Sequence, residues 1–156
     1  MSRIRFVWVG KLKEAFFRDA CAHYAKKLGR FYKLDETVLK DAPGKLPPED
    51  KVLREGKAIL EKVKPSDLLI CLDEKGREMT SVELAELLQR WTEDPNLTPC
   101  FVIGGPFGLS EEVKKAARFK LSLSKMTLPH ELARTVLMEQ LYRAASIQRG
   151  SPYHHV

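Results

Sequence analysis

Little in this chain invites cross-linking, membrane insertion or metal capture. Three cysteines, Cys21, Cys71 and Cys100, stand among 156 residues. Their number is odd, their spacings are long and no C-x-x-C occurs, which argues against a disulfide framework or a zinc site. Cys71 and Cys100 lie inside apolar runs and read as buried, reduced thiols. No apolar run approaches the roughly 20 residues of a membrane span. The N-terminal MSRIRFVWVGKLKE places two arginines before an apolar stretch, but that stretch is only Phe6–Val9. It is too short for a secretory signal core, and no small-residue cleavage site follows. The expected location is the cytoplasm. Two nucleotide-binding fingerprints are also missing. There is no G-x-x-x-x-G-K-[ST], and the glycine-rich GGPFG at 104–108 is not G-x-G-x-x-G and has no acid about 20 residues on. Repeats, low-complexity tracts and dividing linkers are absent too, so residues 1–156 are expected to form one domain.

What is present fits a globular protein, with 44% apolar and 31% charged residues. The net charge of +6 is uneven: residues 1–65 carry 16 Lys+Arg against 9 Asp+Glu, and residues 66–156 carry 11 against 12. A basic surface in the first part could meet a polyanion; a plain solvated face is an equally good reading of so modest a charge.

Apolar runs and helical patterns alternate along the chain. Strands are predicted at Ile4–Val9, Tyr32–Leu39, Asp67–Leu72, Pro99–Ile103 and Phe119–Leu123. Helices are predicted over Glu14–Leu28, Lys51–Val63, Val82–Trp91, a short segment after Ser110, and a long one opened by Pro129 and running to about Gln148. Thr80 and Glu83 form a capping box, and DAPGKLPPED at 41–50 reads as a loop. This order implies an α/β protein, a mostly parallel sheet with helices on both faces.

Ligands of open parallel sheets sit beyond the C-terminal strand ends. Here those ends are Leu72-Asp73, Ile103-Gly104-Gly105 and the segment Leu123–Leu128. Glycines let a ligand approach the backbone, and free backbone N–H and C=O groups would suit the edge of an adenine. On the residues alone, a strand-to-helix turn with spare glycines explains GGPFG slightly better, and Asp73 reads as a turn or cap residue. Leu132, Ala133, Val136, Leu137, Leu141, Ala144, Ala145 and Ile147 make the last helix more apolar than one stripe requires. That surplus suits either a homodimer interface or a deeply embedded helix. Arg143 is four residues after Glu139, the spacing of a surface ion pair. His130 reads as a cap or core group, and the terminal YHH as a disordered tail.

IGGPFGL at 103–109, LSLSKMTLPHELAR at 121–134, EQLYRA at 139–144 and PYHH at 152–155 together resemble the ribosomal RNA large subunit methyltransferase H family, of the SPOUT class. The resemblance spans the whole chain. It implies S-adenosylmethionine-dependent methylation of N3 of a pseudouridine in large-subunit (23S) ribosomal RNA within the ribosome. It also implies a C-terminal trefoil knot, a homodimer, and no metal. The methyl donor would be held by Leu72, Gly104, Gly105, Leu123, Ser124, Lys125, Met126, Thr127 and Leu128. The chemistry would fall to Arg143, Tyr153 and His154, with His154 as a base, Arg143 holding the imide anion and Tyr153 stacking or hydrogen-bonding. His155 departs from the basic residue common there in the family. Two other readings stand beside this one: a non-catalytic RNA-binding knot protein, and an enzyme using another adenine nucleotide.

Overall fold

The computed structural model describes residues 1–155. Ten elements follow one another: β1 (Arg3–Val9), α1 (Ala15–Leu28), β2 (Lys33–Leu39), α2 (Pro48–Lys62), β3 (Asp67–Arg77), α3 (Ser81–Glu93), β4 (Thr98–Ile103), α4 (Glu111–Ala116), β5 (Phe119–Leu121) and α5 (His130–Gln148). The strands form one sheet in the order β2-β1-β4-β3-β5, and every ladder in it is parallel.

Strand alternation divides the core in two. Ile4, Phe6 and Trp8 of β1, Leu68 and Ile70 of β3, and Phe101 and Ile103 of β4 face a layer built from α1, α3 and α5. Val7, Val9, Leu69, Cys71, Cys100 and Val102 face the opposite layer, where Ile59 of α2 and Val113 of α4 meet them. The central strands are therefore apolar at successive positions because both faces are covered. Burial pushes the Cys71 and Cys100 thiols up to about 12, so both stay protonated. Arg5, on the second face, is buried against Asp67 and Asp35 at the strands' N-terminal edge.

Several boundaries differ from the sequence reading. The helix expected from Lys51 begins at Pro48: Pro47 is its N-cap, Pro48 occupies the first turn, and Glu49 and Asp50 favour the positive end of the dipole. Two prolines taken as loop breakers are thus a helix opening. β3 runs to Arg77, five residues beyond Leu72, with an irregularity. Both Leu72 and Arg77 pair with Leu121, so residues 73–76 bulge out between them. Gly76 is required there, because a Cβ would lie 2.7 Å from the Lys120 carbonyl oxygen. β5 correspondingly ends at Leu121 rather than Leu123. Pro129 is the N-cap of α5, not its first residue.

Much of the apolar surface of α5 is covered within the chain. Leu137, Met138, Leu141, Ala144 and Ala145 are buried in the layer shared with α1 and α3. Leu132 and Val136 stay only half-buried, so both readings of the helix's apolar surplus stand. Polar groups fasten the start of α5 to the first strand's end. Arg134 donates to the Gly10 carbonyl (2.9 Å) and lies over the Trp8 ring. Glu131 accepts the Lys13 and Glu14 amides at the start of α1.

Candidate active site

At the C-terminal edge of the sheet, β3, β4 and β5 end around a cavity of ≈ 770 Å³. Its walls are the 72–75 bulge, the 103–109 turn, the 121–129 segment, Lys114 of α4, and the first turn of α5. Leu72, Gly104, Gly105, Leu123, Ser124, Met126, Thr127 and Leu128 all line it. Lys125 does not; its side chain is 85% exposed and pairs with Glu78 at 3.6 Å.

The glycine turn has a local logic. Gly105 and Gly108 form an isolated bridge, and the Gly108 N–H donates to the Gly105 carbonyl at 3.0 Å. Pro106 fits the first corner of such a turn, and Gly108 has φ +84°, which favours glycine. A Cβ on Gly104 would lie 2.7 Å from the Gly108 carbonyl oxygen, and one on Gly105 would lie 3.0 Å from a Glu55 carboxylate oxygen. The space these two glycines leave is filled by the protein's own groups, and backbone is what they present to the cavity. Glu55 is buried behind the turn, accepting the Ala42 amide at 3.2 Å. Desolvation raises its carboxyl above the ordinary carboxylate value.

The 122–128 segment is held by side chains. Ser122 Oγ donates to the carbonyls of Glu74 and Ser124, Ser124 Oγ accepts the Met126 amide, and Thr127 Oγ1 donates to Glu74 at 2.7 Å. Among the described residues, the Met126 amide is the one N–H of 123–128 with an intramolecular acceptor. A row of backbone donors and carbonyls is therefore left for a ligand, as an adenine edge requires. His130, expected as a cap or core group, is half-buried in the same wall. Burial, the largest cause, lowers its pKa, so it is neutral near pH 7. The LPHE stretch that opens α5 was the available signal.

Arg143, Tyr153 and His154 are brought together elsewhere. Arg143 Nε donates to Glu139 Oε1 at 2.8 Å, and its Nη2 lies 2.7 Å from the same oxygen. Its Nη1 is 3.1 Å from His154 Nδ1, and its guanidinium covers the Tyr153 ring at 4.7 Å. Tyr153 Oη donates to Glu139 at 3.3 Å. The expected helical ion pair exists, and it is the base on which the tail folds. The Ser151 amide donates to the Ser146 carbonyl at 3.0 Å, turning residues 151–155 back along α5. The Glu139 hydrogen bond raises the Arg143 pKa, and burial followed by Glu139 pushes Tyr153 up to about 12. This cluster is not at the cavity. From Ala133, on the cavity wall, to Arg143 is about 15 Å along the helix axis.

A parallel sheet whose last helix opens on a cavity at the strand ends, with backbone amides free of intramolecular acceptors on one wall, has room and donors for an adenosine-containing group. The chain belongs to the SPOUT methyltransferase family: the model described as "Predicted SPOUT methyltransferase" matches residues 2–154. It is thus an S-adenosylmethionine-dependent methyltransferase. The chain is 83% identical over 156 residues to a protein of Maridesulfovibrio salexigens named "Ribosomal RNA large subunit methyltransferase H", covering all of both chains. It is 48% identical to one of the same name from Oleidesulfovibrio alaskensis, covering 99% of this chain and all of that one. Among solved structures, the fold is shared with a protein described as "Probable Methyltransferase from Bordetella pertussis Tohama I" at TM-score 0.59 and 19% identity, over 92% of this chain and 94% of that one.

Proposed function

We propose that the whole chain is one domain that methylates N3 of a pseudouridine in large-subunit ribosomal RNA, acting as a homodimer on the assembled ribosome in the cytoplasm. The names of the relatives at 83% and 48% identity supply the substrate class. The observation that carries the chemistry is the cluster of Arg143, Tyr153 and His154 around Glu139. The basic excess of residues 1–65 supports a polyanionic partner. The trefoil knot is proposed from membership of the SPOUT family.

S-adenosylmethionine supplies, when bound, a methyl group made electrophilic by its sulfonium. The residues fit it: the 123–128 amides offer donors, and Leu72, Leu123 and Leu128 offer apolar wall for a purine. Arg143 and His154 act on the RNA base. Pseudouridine N3 carries an imide proton, which passes to solvent water before the nitrogen attacks the methyl, and the resulting imide anion needs donors. Arg143 only donates, so His154 Nδ1 accepts and its proton sits on Nε2. Arg143 and His154 thus form a paired donor face, pre-oriented by Glu139, that stabilises the anion. Tyr153, fixed under the guanidinium, positions that face.

The distance between cavity and cluster supports the homodimer. The cavity borders the start of α5 and the cluster lies near its end, too far apart in one chain to share a base, so a second copy is needed to bring a cluster to each cavity. The test is transfer of labelled methyl groups to ribosomes from a strain lacking the gene, followed by mass spectrometry of the large-subunit RNA. A new methyl on pseudouridine N3 is expected; unmodified RNA would leave a binding protein without turnover.

A further inference from the structure

The cavity wall carries an ion pair that is incompletely satisfied. Asp73, in the β3 bulge, and Lys114, in α4, both line the cavity, with side chains 12% and 25% exposed. Lys114 Nζ lies 3.7 Å from Asp73 Oδ2, within reach of an ion pair but too far for a hydrogen bond. Its other acidic neighbour, Glu111, is 3.8 Å away with a side chain 82% exposed. Asp73 Oδ1 is taken by the Lys75 amide at 3.0 Å, which leaves Oδ2 without a hydrogen bond among the described residues. Glu74 on the same wall differs, since the Thr127 hydroxyl already occupies its carboxylate.

An ammonium with three donors and a carboxylate oxygen therefore open side by side on one ligand cavity. A ligand bearing a single charge would satisfy one group and leave the other facing a like charge. A ligand with an ammonium and a carboxylate on one carbon satisfies both, and it brings no net charge into a partly buried site. We propose that Asp73 and Lys114 seat the amino-acid end of the methyl donor, Lys114 donating to its α-carboxylate and Asp73 Oδ2 accepting from its α-ammonium. The adenine then falls to the unpartnered amides of 123–128, and the donor lies across the cavity between them. This inference rests on the assignment of the cavity to S-adenosylmethionine.

Two neutral thioethers separate it from a role at the ribose or in folding. S-adenosylhomocysteine has the amino-acid end; methylthioadenosine keeps adenine and ribose and lacks it. Calorimetric titrations would use the full chain as wild type, Lys114→Met, Lys114→Arg and Asp73→Asn, with thermal melting to establish folding. Lys114→Met and Asp73→Asn are expected to weaken S-adenosylhomocysteine by about 10- to 100-fold, the range for a lost charge-assisted hydrogen bond. Methylthioadenosine affinity should be unchanged, and Lys114→Arg should retain most of the S-adenosylhomocysteine binding. Equal weakening of both ligands, or of neither, overturns the inference while the donor cavity stands. A wild-type chain that binds neither overturns both.

Discussion

Arg143 shows how one residue can satisfy two readings. Its i,i+4 pairing with Glu139 is ordinary for a helix surface, yet the same pair leaves Nη1 turned to His154 and a flat face for Tyr153. The tautomer this forces on His154 makes it a donor, and that has a measurable consequence. His154→Ala is expected to lower the methyl-transfer rate by about 10²-fold, the cost of losing one donor to a developing anion. His154→Gln, which can still accept from Arg143 and donate but cannot serve as a base, should recover most of the loss. If Gln proves as poor as Ala, His154 removes the proton itself. A second residue-scale expectation concerns Glu55. Its folded-state pKa is raised by burial above the ordinary 4.5, so ionisation costs stability at neutral pH. That cost shrinks as pH falls toward 4.5, where the folded state takes up the proton first. Glu55→Gln, keeping an acceptor for the Ala42 amide, should raise the melting temperature at pH 7.5, with a gain that fades as pH approaches 4.5. A gain independent of pH would assign the effect to something other than the charge.

The turn between β4 and α4 behaves as a unit with α2. Gly104 and Gly105 are adjacent, but their missing side chains face different neighbours: a backbone carbonyl at 2.7 Å for Gly104, and the end of a Glu55 side chain at 3.0 Å for Gly105. A carbonyl inside a closed turn cannot retreat, whereas a carboxylate can rotate. Gly104→Ala is therefore expected to destabilise the protein by about 1–3 kcal/mol, the usual range for overpacking, and to weaken donor binding. Gly105→Ala should cost under half as much. Chemical denaturation and titration with S-adenosylhomocysteine measure both effects; the reverse order would mean that the cavity, not the turn, dictates the glycines. How much of these elements could be read beforehand varies with the signal. The capping box at Thr80 and Glu83 and the Ser110 cap are local hydrogen-bonding patterns, and both are formed as expected. The bulge at 73–76 was not legible, because it depends on where β5 meets β3, and Gly76 is explained by a neighbour 44 residues away.

For the molecule as a whole, the separation between cavity and cluster is the dominant fact. If two chains complete each site, inactive variants should complement one another. Gly105→Val, which crowds Glu55 and the turn at the cavity, and Arg143→Ala, which removes the cluster's centre, should each be inactive alone. Mixed under conditions of subunit exchange, they should regain a substantial fraction of wild-type methyl transfer through heterodimers with one intact pair of parts. Sedimentation should give a species of about twice 17.8 kDa. A monomer with full activity, or mixtures that stay inactive despite exchange, would place both parts of the site in one chain.

Local pattern alone was enough for the alternation of strands and helices, the parallel class of the sheet and the C-terminal strand ends as the ligand edge. These follow from side-chain periodicity, caps and the geometry of β-α-β units. The segments of Leu72, Gly104, Gly105 and Leu123–Leu128 were marked by the strand ends and their assignment to a methyl donor by resemblance; the fold lines a cavity with all but Lys125. Only the tertiary structure decided which groups these residues meet. It buried much of the apolar face of α5 inside its own chain, aimed the glycines at Glu55 and Gly108, folded the expected loose tail onto Glu139 and Arg143, and set Asp73 beside Lys114. Each of these depends on contacts between segments distant in sequence, and a periodicity that repeats every two or 3.6 residues carries no information about which distant group stands opposite.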